Sequence, residues 1–187
     1  MLKKNQQVNL TISEQGKTGE GLAFLENIPI YAPNCIPGDQ VEVKIVKVEK
    51  RRAYGRLERI IQPSPDRVTP DCNVASTCGG CQLQHQIYEK QVVFKEELIK
   101  SRLSRFIEVD PSIYRPMIPS KADYGFRNKM QFAFDQKEGE LKIGLYAARS
   151  HRVIDTPYCS VMSKTMNEVL EAVREWYVTN PMKIFNE

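Results

Sequence analysis

The chain has 187 residues, 41% of them hydrophobic and 27% charged, which is enough for one or two folded domains with a buried core. No apolar run approaches the roughly 20 residues of a membrane-spanning helix, and the polar stretch after Met1 does not fit a secretory signal peptide. The sequence therefore predicts a cytoplasmic protein with no membrane association, and its mild net charge of +4 leaves the partner open.

The first 62 residues have the pattern of a small β domain. Residues 8–12 and 41–45 alternate apolar and polar side chains, as half-buried strands do. Three further short strands are predicted at 22–25, 28–32 and 54–61, with glycine- and proline-containing turns between them. Five short strands of this kind are typical of an OB-like barrel, a fold that commonly binds nucleic acid.

The last two of these strands and the segment between them are rich in basic residues. From position 44 to position 59 there are seven Lys or Arg and two Glu. Such a local excess is the electrostatic footprint of a phosphate-backbone binder, although a solvated strand face would have the same composition. The candidate nucleic-acid contacts in this segment are Lys44, Lys47, Arg51, Arg52 and Arg56.

A proline-rich connector at 62–70 marks the predicted boundary between a first domain, 1–62, and a second domain, 63–187. Beyond it we predict a helix over 88–106, β structure over 124–134, a turn at 136–139, strands at 141–145 and 153–154, and a final helix over 162–177. The apolar stripe of the final helix is predicted to face the core. The expected fold class is α+β, with a five-stranded barrel followed by a small α/β domain.

Three of the five cysteines lie within ten residues, as Cys72, Cys78 and Cys81 in a C-x5-C-G-G-C run. In a cytosolic protein such clustering indicates a metal or cluster site rather than disulfides. Gly79 and Gly80 allow the backbone to turn tightly beside the sulfurs. Thiolate sulfur is the natural ligand of both iron–sulfur clusters and zinc, so the run predicts one of these two.

A four-iron cluster needs a fourth ligand, and Cys159 is the better candidate. It precedes the final helix, and a helix N-terminus favours thiolate, whereas Cys35 is interpreted as a packing thiol. Three local ligands and one remote ligand fit a 4Fe–4S cluster better than zinc, which usually takes two close ligand pairs. Zinc remains the alternative, with His85 as a possible replacement ligand.

These features together resemble the N-terminal part of the bacterial RNA (uracil-5-)-methyltransferases that carry a 4Fe–4S cluster. The resemblance covers essentially the whole chain, and the cysteine run with its flanks is its most specific element. The similar elements are Gly16-x-x-Gly19-x-Gly21, residues 32–39, Ser64-Pro65-Asp66-Arg67, the cysteine run continuing as Gln82-Leu83-Gln84-His85, Tyr88 with Gln91 and Lys95, Phe126-Arg127-Asn128-Lys129 (Phe where the family has Tyr), and Cys159.

The resemblance implies that the barrel is an RNA-binding TRAM domain and that the RNA is ribosomal. In that family a further domain binds S-adenosylmethionine, supplies the cysteine nucleophile that attacks C6 of uracil, and supplies the carboxylate that later removes the C5 proton. The target base must leave its stack for this chemistry. We expect the methyltransferase domain to be absent from this chain and the second domain to be incomplete, so no catalytic or S-adenosylmethionine-binding residue is predicted here.

We therefore expect a monomeric, RNA-binding chain whose cluster orders residues 71–85 and ties them to Cys159. Candidate RNA contacts in the second domain are Phe126, Arg127, Lys129, Arg149 and Arg152. Unpaired RNA is usually held by aromatic stacking beside positive charge, and a solvated loop is the plain alternative for each residue. Two further alternatives are a stand-alone iron–sulfur redox protein and a zinc-stabilised RNA-binding module.

Overall fold

The computed structural model describes residues 2–137 and 140–184, which fold into two compact units. The first unit contains the described residues up to Thr69 together with Gln82–Pro119. The second contains Pro70–Cys81 and the described residues from Ser120 onward. This division differs from the predicted domains, 1–62 and 63–187, because residues 63–69 and the segment after the cysteine run group with the N-terminal sheet.

The first unit is built on a mixed six-stranded sheet with the order β1-β5-β6-β4-β3-β2. Its strands are β1 (Gln7–Thr11), β2 (Glu14–Gln15), β3 (Gly21–Leu25), β4 (Ile28–Ala32), β5 (Gln40–Glu49) and β6 (Arg52–Gln62). All neighbours are antiparallel except β4 and β6, which are parallel. The five predicted strands all occur, and the sixth is β2, whose two residues are too short for an alternating pattern.

The first and last strands of this order are neighbours in the chain, separated only by Ile12 and Ser13. The Ile12 N–H donates to the Asp39 carbonyl at 2.9 Å, and the Ser13 N–H donates to the Leu22 carbonyl at 3.0 Å. The chain therefore passes directly from one end of the sheet to the other, and the sheet curls back on itself. Inside it lies an apolar core. Its buried members are Leu2, Leu10, Ile12, Ala23, Ile30, Ala32, Cys35, Val41, Val43, Ile45 and Ala53.

The first unit also contains helix α1, Tyr88–Leu103, and a short 3₁₀ helix, Pro111–Ile113. The predicted helix ended at Phe106, whereas α1 ends at Leu103 and Ser104 is its C-terminal cap. All residues of α1 are described and none of them is fully buried.

The second unit has an antiparallel sheet of β7 (Ala133–Lys137), β8 (Glu140–Tyr146) and β9 (Val153–Asp155), followed by helix α2 (Lys164–Thr179). The predicted β structure over 124–134 is wrong for the residues before Ala133, where the structure has no strand and only an isolated parallel bridge between Arg127 and Met162. The turn predicted at 136–139 lies partly outside the described residues. The predicted returning strand and third strand are confirmed as β8 and β9.

Helix α2 is capped at its N-terminus by Ser163, whose hydroxyl accepts a hydrogen bond from the Met166 N–H at 3.4 Å. The prediction that its apolar stripe faces the core is only partly correct. Leu170 is buried with Ile143, Cys159, Val161 and Met162, and Met166 packs against this cluster. The apolar side chains that are instead exposed are Val169, Val173 and Trp176. The α+β class is confirmed.

Candidate functional site

All four predicted ligand cysteines lie in the second unit. Cys72, Cys78 and Cys81 are partly buried in the loop Pro70–Cys81, and Cys159 is buried just before α2. No disulfide joins any of the five cysteines, all of which lie in the described part of the chain. The thiols are therefore available together as sulfur donors.

The loop Pro70–Cys81 is fixed by its own turns and by the end of β8. The Val74 carbonyl accepts from the Cys78 N–H at 2.8 Å, and the Gly79 N–H donates to the Tyr146 carbonyl at 2.9 Å. A Cβ on Gly79 would lie 2.7 Å from that carbonyl oxygen, and one on Gly80 would lie 2.6 Å from a Leu145 methyl carbon. Gly79 is therefore required by the close approach of the loop to the backbone of β8, whereas a side chain at Gly80 would have to displace Leu145.

Cys159 is held by a side chain of α2. Its N–H donates to Asn167 Oδ1 at 2.9 Å, and its carbonyl accepts from Asn167 Nδ2 at 3.1 Å. Asn167 is itself buried, so this pair of bonds fixes the Cys159 backbone against the first turn of the helix. Cys81 packs against the same apolar cluster that contains Cys159.

The pKa of the Cys78 thiol depends on its burial and on neighbouring groups. Burial raises the pKa of the Cys78 thiol, the Gly80 N–H lowers it by donating to the sulfur at 3.4 Å, Cys72 and Cys159 raise it, and Arg127 lowers it. Three of the four candidate ligands therefore share one electrostatic environment. The Gly80 N–H and the Arg127 guanidinium are the groups there that favour negatively charged sulfur.

The fit of this site to a metal depends on the size of the group. Within the described ranges, no three Cys, His, Asp or Glu side chains converge into a ready binding site for an ion. Tetrahedral zinc needs four donors at about 2.0–2.3 Å from one point. A four-iron cluster stands between its ligands, so its cysteines are farther apart. All four candidate donors are thiols and a backbone N–H is donated to one of them, which is chemistry that suits both groups.

His85, the replacement ligand considered for zinc, lies in the first unit and has a different environment. Its side chain is buried, and burial followed by the charge of Arg67 lowers its pKa to about 4, while hydrogen bonding to the Cys35 backbone and the charge of Asp39 raise it. The structure thus places His85 beside Cys35, Asp39 and Arg67. It supports a packing role for this histidine.

The basic residues predicted on the first unit lie along β5 and β6, and several are paired with carboxylates. Lys47 and Arg52 each lie 2.6 Å from a Glu49 oxygen, and Arg56 lies 2.8 Å from Glu58. Lys44 is opposite Arg56 in the β5–β6 register. Arg51 is exposed in the turn between the strands. The net positive charge of this face is therefore smaller than the sequence count indicates.

The candidate contacts at 126–129 are divided by the structure. Phe126 and Lys129 are exposed. The backbone of Arg127 is bonded on both sides: its N–H donates to Val161 at 2.8 Å and its carbonyl accepts from Ser163 at 3.0 Å. Because its side chain also acts on Cys78, Arg127 has a structural position that the sequence did not indicate.

Arg149 and Arg152 lie in the turn between β8 and β9 and are both exposed. The turn is closed by the Ala147 N–H, which donates to the Arg152 carbonyl at 2.8 Å. Cys78 forms an isolated antiparallel bridge with Ala147, so the cysteine loop packs directly against this basic turn. Within the second unit, the sulfur site thus supports a candidate RNA-binding segment.

The sequence analysis missed a buried ion pair in the first unit. Asp39 is fully buried, and its carboxylate accepts from the Ile36 N–H at 2.8 Å, from the Ser64 N–H at 2.9 Å and from Arg67 Nε at 2.9 Å. Ser64-Pro65-Asp66-Arg67 was noticed only as a resemblance. Its physical role here is to join the connector to the sheet through Asp39.

The sequence analysis also missed an aromatic pair. The rings of Tyr31 on β4 and Tyr54 on β6 are stacked, with centroids 5.8 Å apart and planes inclined by 30°. Lys47 Nζ lies 6.0 Å and the Arg52 guanidinium carbon 5.6 Å from the centre of the Tyr54 ring. The sequence indicated that both tyrosines face away from the core, because each follows an apolar residue, Ile30 or Ala53, and successive strand residues point to opposite faces.

Comparison with known proteins bears on both units. The family model described as TRAM domain matches residues 2–57, which contain most of the six-stranded sheet. Residues 2–57 are therefore similar to a TRAM domain. This confirms the N-terminal domain implied by the sequence resemblance.

The similarity extends beyond the TRAM domain to the whole chain. A protein of Clostridium tetani named as an uncharacterized RNA methyltransferase is 37% identical over 186 residues, which is 100% of this chain and 40% of that protein. A Halalkalibacterium halodurans protein with the same description is 36% identical over 172 residues, 92% of this chain and 38% of the relative. The TRAM-bearing chain thus spans about 40% of the length of these relatives, and its predicted resemblance to part of an RNA methyltransferase is confirmed.

A solved structure gives the same result for the fold. The chain is similar to the tRNA (uracil-54, C5)-methyltransferase of Pyrococcus abyssi, solved in complex with S-adenosyl-L-homocysteine. The match covers 95% of the present chain and 38% of the Pyrococcus chain, at 28% identity and a TM-score of 0.66.

Neither helix of the described residues has the length and hydropathy that crossing a bilayer requires.

Proposed function

We propose that this chain is the RNA-binding, 4Fe–4S-holding portion of an S-adenosylmethionine-dependent RNA (uracil-5-)-methyltransferase that acts on a uridine in ribosomal RNA. The observation that carries the proposal is the coexistence of a TRAM domain with four thiols gathered in the second unit. The TRAM match and the relatives' descriptions as RNA methyltransferases support RNA as the partner.

Cys72, Cys78, Cys81 and Cys159 would hold the cluster. When bound, it supplies a four-point cross-link between the loop Pro70–Cys81 and the segment before α2. The loop also contacts the β8–β9 turn through Gly79 and Cys78. A structural role is favoured over a redox role because the loop is built into the small core of its unit.

RNA would be held by the positive side chains of each unit. On the first unit these are Lys44, Lys47, Arg51, Arg52 and Arg56, and on the second they are Lys129, Arg149 and Arg152, with Phe126 available for stacking. Such phosphate contacts position an RNA without reading its sequence. Arg127 is the weakest candidate because its backbone is bonded into the unit and its charge acts on the thiols.

The uracil chemistry is supported by the Pyrococcus abyssi structure, which is described as a uracil C5 methyltransferase in complex with S-adenosyl-L-homocysteine, the demethylated form of the methyl donor. That enzyme acts on transfer RNA, whereas the sequence resemblance favours ribosomal RNA. The proposal assigns no catalytic residue to this chain, so we expect it to bind RNA without methylating it.

One preparation tests the cofactor and the partner together. The 187-residue chain is purified without oxygen, its iron, acid-labile sulfide and zinc are measured, and its binding to labelled ribosomal and transfer RNA fragments is titrated. We expect about four iron and four sulfide per chain, with tighter binding to a uridine-containing ribosomal fragment. Stoichiometric zinc would contradict the cluster, a reversible redox signal without RNA binding would favour a redox protein, and preference for transfer RNA would contradict the ribosomal substrate.

A further inference from the structure

The outer face of the first unit's sheet carries three aromatic side chains that its core does not use. Ile30 and Ala53 are paired across β4 and β6 and are fully buried, so the residues that follow them, Tyr31 and Tyr54, point to the opposite side. On β3, Ala23 is buried and Phe24 is 51% exposed.

Phe24 belongs to the same face as the two tyrosines. It is opposite Pro29 in the β3–β4 register, and Tyr31 lies two residues beyond Pro29 on β4. Residues two apart share a face, and diagonal neighbours of this kind lie about 7–8 Å apart, within reach of aromatic side chains. We call Phe24, Tyr31 and Tyr54 the aromatic face.

Two cations border the aromatic face. Lys47 is opposite Tyr54 in the β5–β6 register, and Arg52 is two residues before Tyr54 on the same strand. Lys47 Nζ lies 6.0 Å and the Arg52 guanidinium carbon 5.6 Å from the centroid of the Tyr54 ring, the range of cation–π contacts. Each is paired with Glu49, but these pairs are solvent-exposed, and exposed ion pairs contribute little to stability. A phosphate can therefore replace Glu49 as their partner.

We propose that the aromatic face binds two or three unpaired nucleotides of RNA. The bases stack on Phe24, Tyr31 and Tyr54, and Lys47 and Arg52 take the adjoining phosphates. Aromatic rings beside positive charge are the arrangement with which proteins hold single strands, because every base has a stacking face. The inference rests on the proposed RNA-binding function and adds to it the state of the RNA and the residues that hold it.

A purely structural role explains less of this arrangement. A stacked cross-strand tyrosine pair can stabilise a sheet. It does not account for a half-exposed Phe24 on the same face or for the two cations beside Tyr54. Elsewhere in the first unit, Lys100 Nζ lies 5.5 Å from the centroid of the Tyr114 ring. This pair has the same cation–π chemistry but lies outside the aromatic face, so it provides a matched control.

The test is a fluorescence anisotropy titration of the 187-residue chain with a labelled ten-nucleotide single-stranded RNA and a hairpin of the same length. We expect Tyr31→Leu and Tyr54→Leu to weaken single-strand binding by about 5- to 150-fold each. Tyr54→Phe, which keeps the ring, and Tyr114→Leu should leave it within about twofold. Glu49→Gln should tighten binding, because it removes the carboxylate that competes with phosphate.

Each outcome decides between the proposals. If the folded leucine variants, checked by circular dichroism, bind the single strand as well as the wild type, the aromatic face is wrong and the proposed RNA-binding function stands. If the hairpin binds as tightly and is equally weakened, the preference for unpaired nucleotides is wrong. If the wild type binds neither RNA, the proposed function itself fails.

Discussion

The two units differ in how much apolar material holds them together. Among the described residues, the first unit buries an eleven-residue cluster, and several of its members have no exposed surface. The cluster in the second unit has five buried residues, and one of them is Cys159. Small units with small cores commonly depend on metals or cross-links. The comparison indicates that the first unit is stable by packing, and we propose that the second unit depends on a group bound by its thiols.

The largest expected effect tests this dependence directly. Cys159→Ser should remove most of the iron and destabilise the second unit by part of the roughly 10–16 kcal/mol that a bound structural metal supplies, because metal binding is coupled to folding. Hydrogen exchange should show the lost protection in β8, β9 and α2 and unchanged protection in β5. The backbone bonds between residue 159 and Asn167 do not involve the sulfur, so they are retained in the variant.

Cys35→Ala is the matched control, because Cys35 is a buried thiol of the first unit. Burial and the charge of Asp39 raise its pKa to about 12, and Arg67 lowers it, so it is poorly suited to metal binding. The variant should keep its iron. Equal iron in Cys159→Ser and wild type would contradict the ligand assignment.

The next effect concerns the buried ion pair of the first unit. Asp39→Ala leaves the Arg67 charge without its partner, and loss of one member of a buried pair costs about 3–5 kcal/mol. Glu58→Ala removes an exposed partner of Arg56 and should cost less than about 1 kcal/mol. Urea unfolding, monitored by hydrogen exchange of the β5 amides, measures the loss of stability in both variants. If Asp39→Ala does not fold, Asp39→Asn should show an intermediate loss, and equal stability of the Asp39→Asn variant and the wild type would contradict a role for the charge.

The smallest effect is a pH dependence confined to the first unit. The pKa of His85 is lowered from 6.5 to about 4, first by burial, so the unfolded chain takes up a proton that the folded chain does not. Stability is therefore complete above pH 6.5 and falls by up to about 3 kcal/mol as the pH drops to 4. His85→Gln should flatten this part of the curve.

Asp39 does not interfere with that measurement. Its pKa lies below the ordinary 3.8, because the bonds from Arg67, Ile36 and Ser64 outweigh its burial, so its contribution is lost only at lower pH. Urea unfolding at about pH 7, 5.5 and 4 checks the prediction. An unchanged slope in His85→Gln would show that another group titrates.

Local patterns predicted most of the sheet but little of the tertiary arrangement. Alternation located β1, β3, β4, β5 and β6, because each strand has one buried face. It failed at 124–134, where Met130, Phe132 and Phe134 pack against the second core although only residues from Ala133 are in a strand. Helical spacing located α2 but not its buried face, since Asn167 is buried and Trp176 is exposed.

The candidate sites show the same limit. Cysteine spacing could select four thiols, because sulfur chemistry needs those residues. Counting cations could not show that Glu49 and Glu58 neutralise part of the basic face, or that Arg127 lies beside Cys78. The pairing of Tyr31 with Tyr54 depends on the parallel β4–β6 register, which joins strands more than twenty residues apart in the chain.

The two-residue junction at Ile12 and Ser13 has a consequence for how the TRAM domain meets other molecules. It leaves β1 and β2 as the two end strands of the sheet order, and β2 has only two residues. So short an edge strand offers an extended peptide or a second copy little template for adding a strand, which protects this end of the sheet against edge-to-edge aggregation. Any strand addition to the sheet is therefore expected along β1.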